Sequence, residues 1–335
     1  MNLLETLLST HDYLLADGGM GTMLMSAGLE QGNSPEAWNV LYPERIRAVH
    51  RDYVEAGARI ILTNSFGGTR FRLKLHDLQA RVYELNRAAA ELARAEASAA
   101  RHPVVVAGSI GPSGEILQPI GALSFAEARA GFAGQAAGLV AGGVDVLWIE
   151  TMSDLNEVRA AVEGVRSVTS LPIVTTMTFD TNGRTMMGVT PVQALAALRP
   201  LEPLALGGNC GNGPAEIEAV VQAIYAADQT SGARATPLVA KSNAGIPEYV
   251  NGELRYNGTP EVMACHAVRV RDLGASIIGA CCGSTPAHIQ AMAAALASAP
   301  INRAVVESAL AAPDQPAAAN RPRSRRRQRQ RGEPT

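Results

Sequence analysis

Aromatic side chains make up only 4% of the 335 residues, there are four cysteines, and no apolar run is long enough to span a bilayer. The last point argues against a membrane protein, and four cysteines in so long a chain do not make a disulfide scaffold. The first residues, Met1-Asn2-Leu3-Leu4-Glu5-Thr6, lack the basic start and apolar core of a signal peptide. The expected location is therefore cytoplasmic and reducing, where thiols stay free. What is present is a 47% hydrophobic composition with a formal net charge of −2, which fits a globular chain with a sizeable core.

Apolar, β-rich runs occur at Tyr13–Asp17, Ala58–Phe66, Val104–Gly108, Val144–Glu150, Ile173–Phe179, Leu204–Asn209, Leu238–Asn243 and Ser276–Cys281. Helix-compatible segments lie between them, at Pro43–Ala56, Leu73–Ala100, Phe125–Ala141, Leu155–Val168, Pro214–Ala227 and Pro260–Leu273. Continuous Val/Ile/Leu runs suit strands covered on both faces, and regular alternation with helices favours a parallel sheet. Eight such units predict an α/β protein with one (β/α)8 TIM barrel over residues 1–300. In that fold chemistry sits at the C-terminal ends of the strands. The runs end there in Asp17, Asn64, Ser109, Glu150, Thr178, Asn209 with Cys210, Asn243, and Cys281 with Cys282. Each has a plain structural alternative, since Asp17 can cap the turn at Gly18-Gly19 and the asparagines can satisfy loop backbone.

Cys210, Cys281 and Cys282 end two of these runs, in Gly208-Asn209-Cys210-Gly211 and Gly279-Ala280-Cys281-Cys282-Gly283. Adjacent cysteines are poorly placed for an unstrained disulfide with each other. Two neighbouring thiolates also repel unless a cation lies between them. Zinc takes four soft ligands, and a catalytic site leaves one position for substrate. Three cysteines therefore read as a Zn2+ site with one open position, the alternative being that they are small hydrophobes at strand ends. An all-sulfur set argues against a hydrolase, whose zinc ligands are usually histidine and carboxylate.

These two segments, together with Asp17-Gly18-Gly19-Met20-Gly21-Thr22, Thr63-Asn64-Ser65-Phe66-Gly67-Gly68 and Gly108-Ser109-Ile110-Gly111-Pro112, resemble the zinc-dependent homocysteine S-methyltransferases. The likeness runs from about Leu14 to about Ala297, with Ala280 where the family usually has glycine. It implies a (β/α)8 barrel and transfer of a methyl group to zinc-bound homocysteine, giving methionine. It also implies that Asp17 and Glu150 engage the ammonium end of the amino acid, and that Gly18, Gly19, Met20, Asn64, Ser109 and Asn209 line the substrate site. The backbone amides of Gly18 to Gly21 are placed to receive the carboxylate. Asn243 matches a position that completes the metal shell of some relatives when substrate is absent.

For the donor, Arg72–Asp77, Phe179–Gly188 and Asn243–Pro247 look most like bacterial betaine-homocysteine methyltransferases. Betaine is thus the expected small donor, with S-methylmethionine and a methyl-carrying corrinoid protein as alternatives. An aromatic cage for a quaternary ammonium would draw on Trp38, Phe66, Phe71, Trp148 or Phe179.

Beyond residue 300 the chain turns Ala/Pro-rich and then basic. Residues 321–335 hold seven arginines and one glutamate against a net charge of −2 for the whole chain, so the remainder carries −8. Residues 301–335 are expected to be a disordered tail. No aromatic residue interleaves the arginines, so nucleic-acid binding by base stacking is not expected. A reading of another class remains, a non-catalytic zinc- or RNA-binding accessory protein built on the barrel.

Overall fold

The computed structural model describes residues 2–230, 236–250 and 253–302. Its central sheet has eight parallel strands: β1 Leu14–Leu15, β2 Ile60–Leu62, β3 Val105–Ile110, β4 Val146–Met152, β5 Ile173–Met177, β6 Ala205–Cys210, β7 Leu238–Ser242 and β10 Ala275–Ala280. Two further strands, β8 Pro247–Val250 and β9 Glu253–Tyr256, form an antiparallel hairpin between β7 and β10. The parallel strands pair in the order β1-β10-β7-β6-β5-β4-β3-β2. The ring closes where Ala16 bridges Ile60, with Arg59 N donating to Leu15 O at 2.7 Å and Asp17 N to Ile60 O at 2.9 Å. The protein is a (β/α)8 barrel, as the eight apolar runs predict.

Successive strand residues point to opposite faces, and this alternation divides the core in two. Leu14, Ile60, Leu62, Val105, Ala107, Val146, Trp148, Val174, Ala205, Val239 and Ile277 form one buried cluster inside the ring. Their neighbours, such as Val106, Ile110, Leu147, Ile149, Leu206 and Ile278, belong to the larger cluster between sheet and helices. Register aligns the inward residues across strands, as in Ala107 with Val146, Trp148 with Val174 and Val239 with Ile277. One step further along each strand the inward residues become polar: Ser109, Glu150, Thr176, Asn209 and Lys241. The apolar layers therefore form a floor, and the chemistry stands on it.

An N-terminal helix, Leu3–Thr10, closes the opposite end. Its Leu4 and Leu7 join the inner cluster, and Asn2 Nδ2 donates to Asp145 O at the start of β4. The outer helices begin at side-chain caps, including Ser124 with Glu127, Asp154, Thr190 with Gln193, and Thr259. The expected helix Leu73–Ala100 is interrupted. Arg70–Leu73 and two 3-10 turns precede Val82–Ala99, and Asp77 adopts a left-handed φ of 58°, a conformation aspartate tolerates better than most residues. Helices Met20–Ser26, Pro191–Leu198 and Pro286–Ser298 follow β1, β5 and β10. Among the described residues no helix is long and apolar enough to cross a membrane. The arginine-rich tail lies outside the described residues.

Candidate metal centre and substrate cavity

Cys210 ends β6, and Cys281 and Cys282 follow β10, so the sheet order places them on two strands separated only by β7. Their Sγ atoms lie within 4.8 Å of one another, Cys210 and Cys281 being 2.9 Å apart. The fourth cysteine, Cys265, is exposed on the helix Pro260–Asp272. Without a cation, three half-buried sulfurs at this spacing cannot all ionise. Hydrogen bonds from Cys210 and Cys281 pull the Cys282 thiol down to about 3. Cys210 is pushed well up, first by its bond to Cys281. Cys281 gains from Cys210 but is held at about 12 by Cys282 and burial. A single charge shared by three sulfurs is what a soft cation would convert to three thiolates, so the donor set fits a metal ion.

Backbone geometry fixes these sulfurs. Cys210 has φ 59° and Thr151 φ 60°, an unusual conformation for any side chain and strained for a β-branched one. Asn209 braces both. Its Oδ1 accepts from Thr151 N at 2.8 Å and Thr176 Oγ1 at 2.7 Å, and its Nδ2 donates to Thr151 Oγ1 at 2.7 Å and Cys210 Sγ at 3.4 Å. Asn243 ties the two cysteine segments together: Oδ1 accepts from Cys282 N at 3.0 Å and Nδ2 donates to Gly211 O at 2.7 Å. Ala280, in the family's usual glycine position, is fully buried and keeps its regular register with Ser242. Its methyl group is accommodated.

The sulfurs border a cavity of about 260 Å³. Asp17, Gly18, Gly19, Met20, Asn64, Ser109, Glu150, Cys210, Cys281 and Cys282 all line it, so the structure gathers these sequence-predicted residues into one place. Asn209 and Asn243 are not in the lining; they lie behind it and hold the strand ends. Asn64 also braces a loop, donating to Pro35 O at 2.7 Å and to Asn39 Oδ1 at 2.9 Å.

Two expectations change. Gly19 N donates to Ser284 Oγ at 3.0 Å, so that amide is not available to a carboxylate. The role expected of the turn's amides narrows to Gly18, Met20 and Gly21, and the turn also serves close approach: a Cβ on Gly18 would strike Ser284 Oγ and come within 2.8 Å of the Tyr53 hydroxyl. The second change concerns the aromatic candidates. Phe66 alone among the five lines the cavity. Trp148 and Phe179 are fully buried, and Trp38 and Phe71 pack with Arg45 and Arg70 elsewhere.

Sequence reasoning missed Lys241, Thr151 and Glu36 as lining residues. Lys241 points inward from β7, and its Nζ donates to Asp17 Oδ1 at 2.6 Å, both side chains being 2% exposed. Burial disfavours the ammonium, but Asp17 and Glu150 outweigh it and leave the Lys241 pKa raised. Glu150 accepts from Ser109 Oγ at 2.5 Å. Burial lifts its pKa from 4.5 to about 7, with Lys241 pulling the other way.

The sequence profile of the homocysteine S-methyltransferase family matches residues 14–296. Methionine synthases of Mycobacterium tuberculosis and Mycobacterium leprae are each 33% identical to the chain, over 302 and 313 residues. Those matches take in 85% and 88% of the chain but 25% of each relative, so the chain spans about a quarter of the length of these proteins. Among solved structures, the metallated form of the homocysteine methyltransferase MmuM from Escherichia coli superposes with a TM-score of 0.73 at 28% identity. That alignment covers 88% of this chain and 99% of the other. The apo form of MmuM gives 0.68 at 27% identity, covering 88% and 100%. With its cysteine trio at the strand ends and a profile match across nearly the whole barrel, the chain belongs to the homocysteine S-methyltransferase family.

Proposed function

We propose that the protein transfers a methyl group from a small activated donor to the sulfur of homocysteine, forming methionine, with Zn2+ held by Cys210, Cys281 and Cys282. The observation that carries this reading is the convergence of three sulfurs within 4.8 Å at the edge of a cavity that also presents a buried carboxylate, Glu150. Zinc bound to three thiolates would supply one chemical service, favouring loss of the proton from a thiol in its remaining position and so making that sulfur a nucleophile at neutral pH.

The chain's own residues do the rest. Glu150, oriented by Ser109, accepts the α-ammonium of the amino acid. Asn209 and Asn243 hold the cysteine backbones, and the apolar layer beneath keeps water out of the barrel interior. The methyl carbon passes to the homocysteine sulfur as its bond to the donor heteroatom breaks. The donor leaves with that electron pair, and the thiol proton goes to solvent.

Betaine is the first donor proposed, on the likeness of the segments after β2, β5 and β7 to betaine-dependent enzymes. S-Methylmethionine is the second, favoured by the presence of one aromatic ring, Phe66, along the cavity, since a quaternary ammonium is best held between several faces. A methionine-formation assay with purified metal-loaded protein, offering betaine, S-methylmethionine and methylfolate separately, tests the proposal. Methionine from either of the first two supports it. No methionine from any donor, with homocysteine failing to bind, refutes it.

A further inference from the structure

We infer that Lys241 is a specificity-determining residue: by taking up the Asp17 carboxylate it leaves Glu150 as the sole acceptor for the ammonium of the bound amino acid. The inference rests on the homocysteine reading above and reassigns Asp17, which the family likeness places at the ammonium.

Each Asp17 oxygen already accepts one short hydrogen bond, and the carboxylate's charge is matched by the Lys241 ammonium. Oδ1 accepts from Lys241 Nζ at 2.6 Å and Oδ2 from Leu62 N at 2.7 Å. Lys241 is committed in turn. A second contact runs from Nζ to Asp17 O at 3.3 Å, and the ammonium lies 5.9 Å from the centre of the Trp148 ring, within cation–π range. The barrel makes room for this lysine. On the neighbouring strand Gly279 has no side chain, and a Cβ there would come within 3.1 Å of both Lys241 Cγ and Asp17 O. Breaking the pair to free Asp17 would strand a charge in a layer where both side chains are 2% exposed.

Glu150 differs in the respect that matters. Ser109 occupies Oε1, and among the described residues no hydrogen bond reaches Oε2. Of the three carboxylates on the lining, Glu36 accepts from Gly67 N at 2.7 Å and Ser34 Oγ at 2.8 Å and Asp17 is paired with Lys241, which leaves Glu150 as the carboxylate that one ammonium would match. A cavity with two free carboxylates would instead favour a dication or a second ammonium group.

The test measures selectivity. Binding of homocysteine and of its des-amino analogue, 4-sulfanylbutanoate, is followed by titration calorimetry on metal-loaded protein, and the ratio of the two affinities reports recognition of the ammonium. Glu150→Gln should cut that ratio on the order of tenfold. The double variant Asp17→Asn/Lys241→Met should keep the wild-type ratio even where both affinities fall. Lys241→Met alone, where it folds, should raise the ratio by freeing Asp17, and adding Asp17→Asn should return it. A ratio that collapses in the double variant as far as in Glu150→Gln overturns the inference, because Asp17 would then touch the substrate. Wild-type protein that binds neither ligand overturns the homocysteine reading as well, so the two failures are distinct.

Discussion

Replacing Cys210, Cys281 or Cys282 by alanine removes one of three sulfur donors whose spacing only a cation can make fully ionised. Each variant should therefore lose bound metal together with methyl transfer, checked by elemental analysis and by methionine formation. Glu150 offers a separate test through pH. Its buried carboxyl titrates near 7, and it must be ionised to hold an ammonium. Homocysteine affinity should accordingly fall as pH drops below about 7, and calorimetry in buffers of different ionisation heats should show proton release on binding at pH 6. The stability sign runs the other way. A carboxyl whose folded pKa is raised stabilises the fold most below its ordinary value of 4.5, and that contribution is lost as pH rises to about 7. Glu150→Gln should thus bind homocysteine less tightly yet unfold no more easily than wild type at pH 8, as read by thermal denaturation. Residues of this kind were legible in the sequence because each stands where an apolar run stops. Lys241 was not: it lies inside such a run and its partner is 224 positions away. A lysine in a β pattern reads as a solvent-facing residue until the barrel closes around it.

At the scale of elements, the glycine turn after β1 and the turn after β10 act as one unit. Gly18 packs against Ser284 and Tyr53, whose hydroxyl donates to both Gly19 O and Ser284 O at 3.2 Å. Gly18→Ala should push these turns apart, costing about 1–3 kcal/mol by overpacking and weakening metal retention, measurable by denaturant unfolding and by competition with a chelator. The eight strands were readable because burial on both faces makes their runs continuous. The segment 70–81 was not, because its apolar residues keep a helical spacing while the backbone turns at Asp77. Leu73 is fully buried and Leu75 is 68% exposed, a switch that periodicity alone does not register. The hairpin β8–β9 was missed for a similar reason, since two four-residue strands between β7 and the helix Pro260–Asp272 give little period to read.

For the whole molecule, the N-terminal plug belongs to the inner of the two apolar cores. Leu4 and Leu7, both buried inside the ring, should each cost about 2–5 kcal/mol when changed to alanine, read as a lowered unfolding midpoint while metal content stays intact. Removing residues 313–335 should leave methionine formation unchanged, because every residue assigned to the site lies between Asp17 and Cys282. The apolar floor inside the ring, with the N-terminal helix packed beneath it, makes the cavity a cul-de-sac, so both substrates and both products must share one doorway. The ligand seated deepest, at the sulfurs, has to arrive before the methyl donor blocks its path and depart after the spent donor has cleared. Turnover should then follow a compulsory order, homocysteine first and methionine last, with methionine competing against homocysteine alone in product-inhibition kinetics.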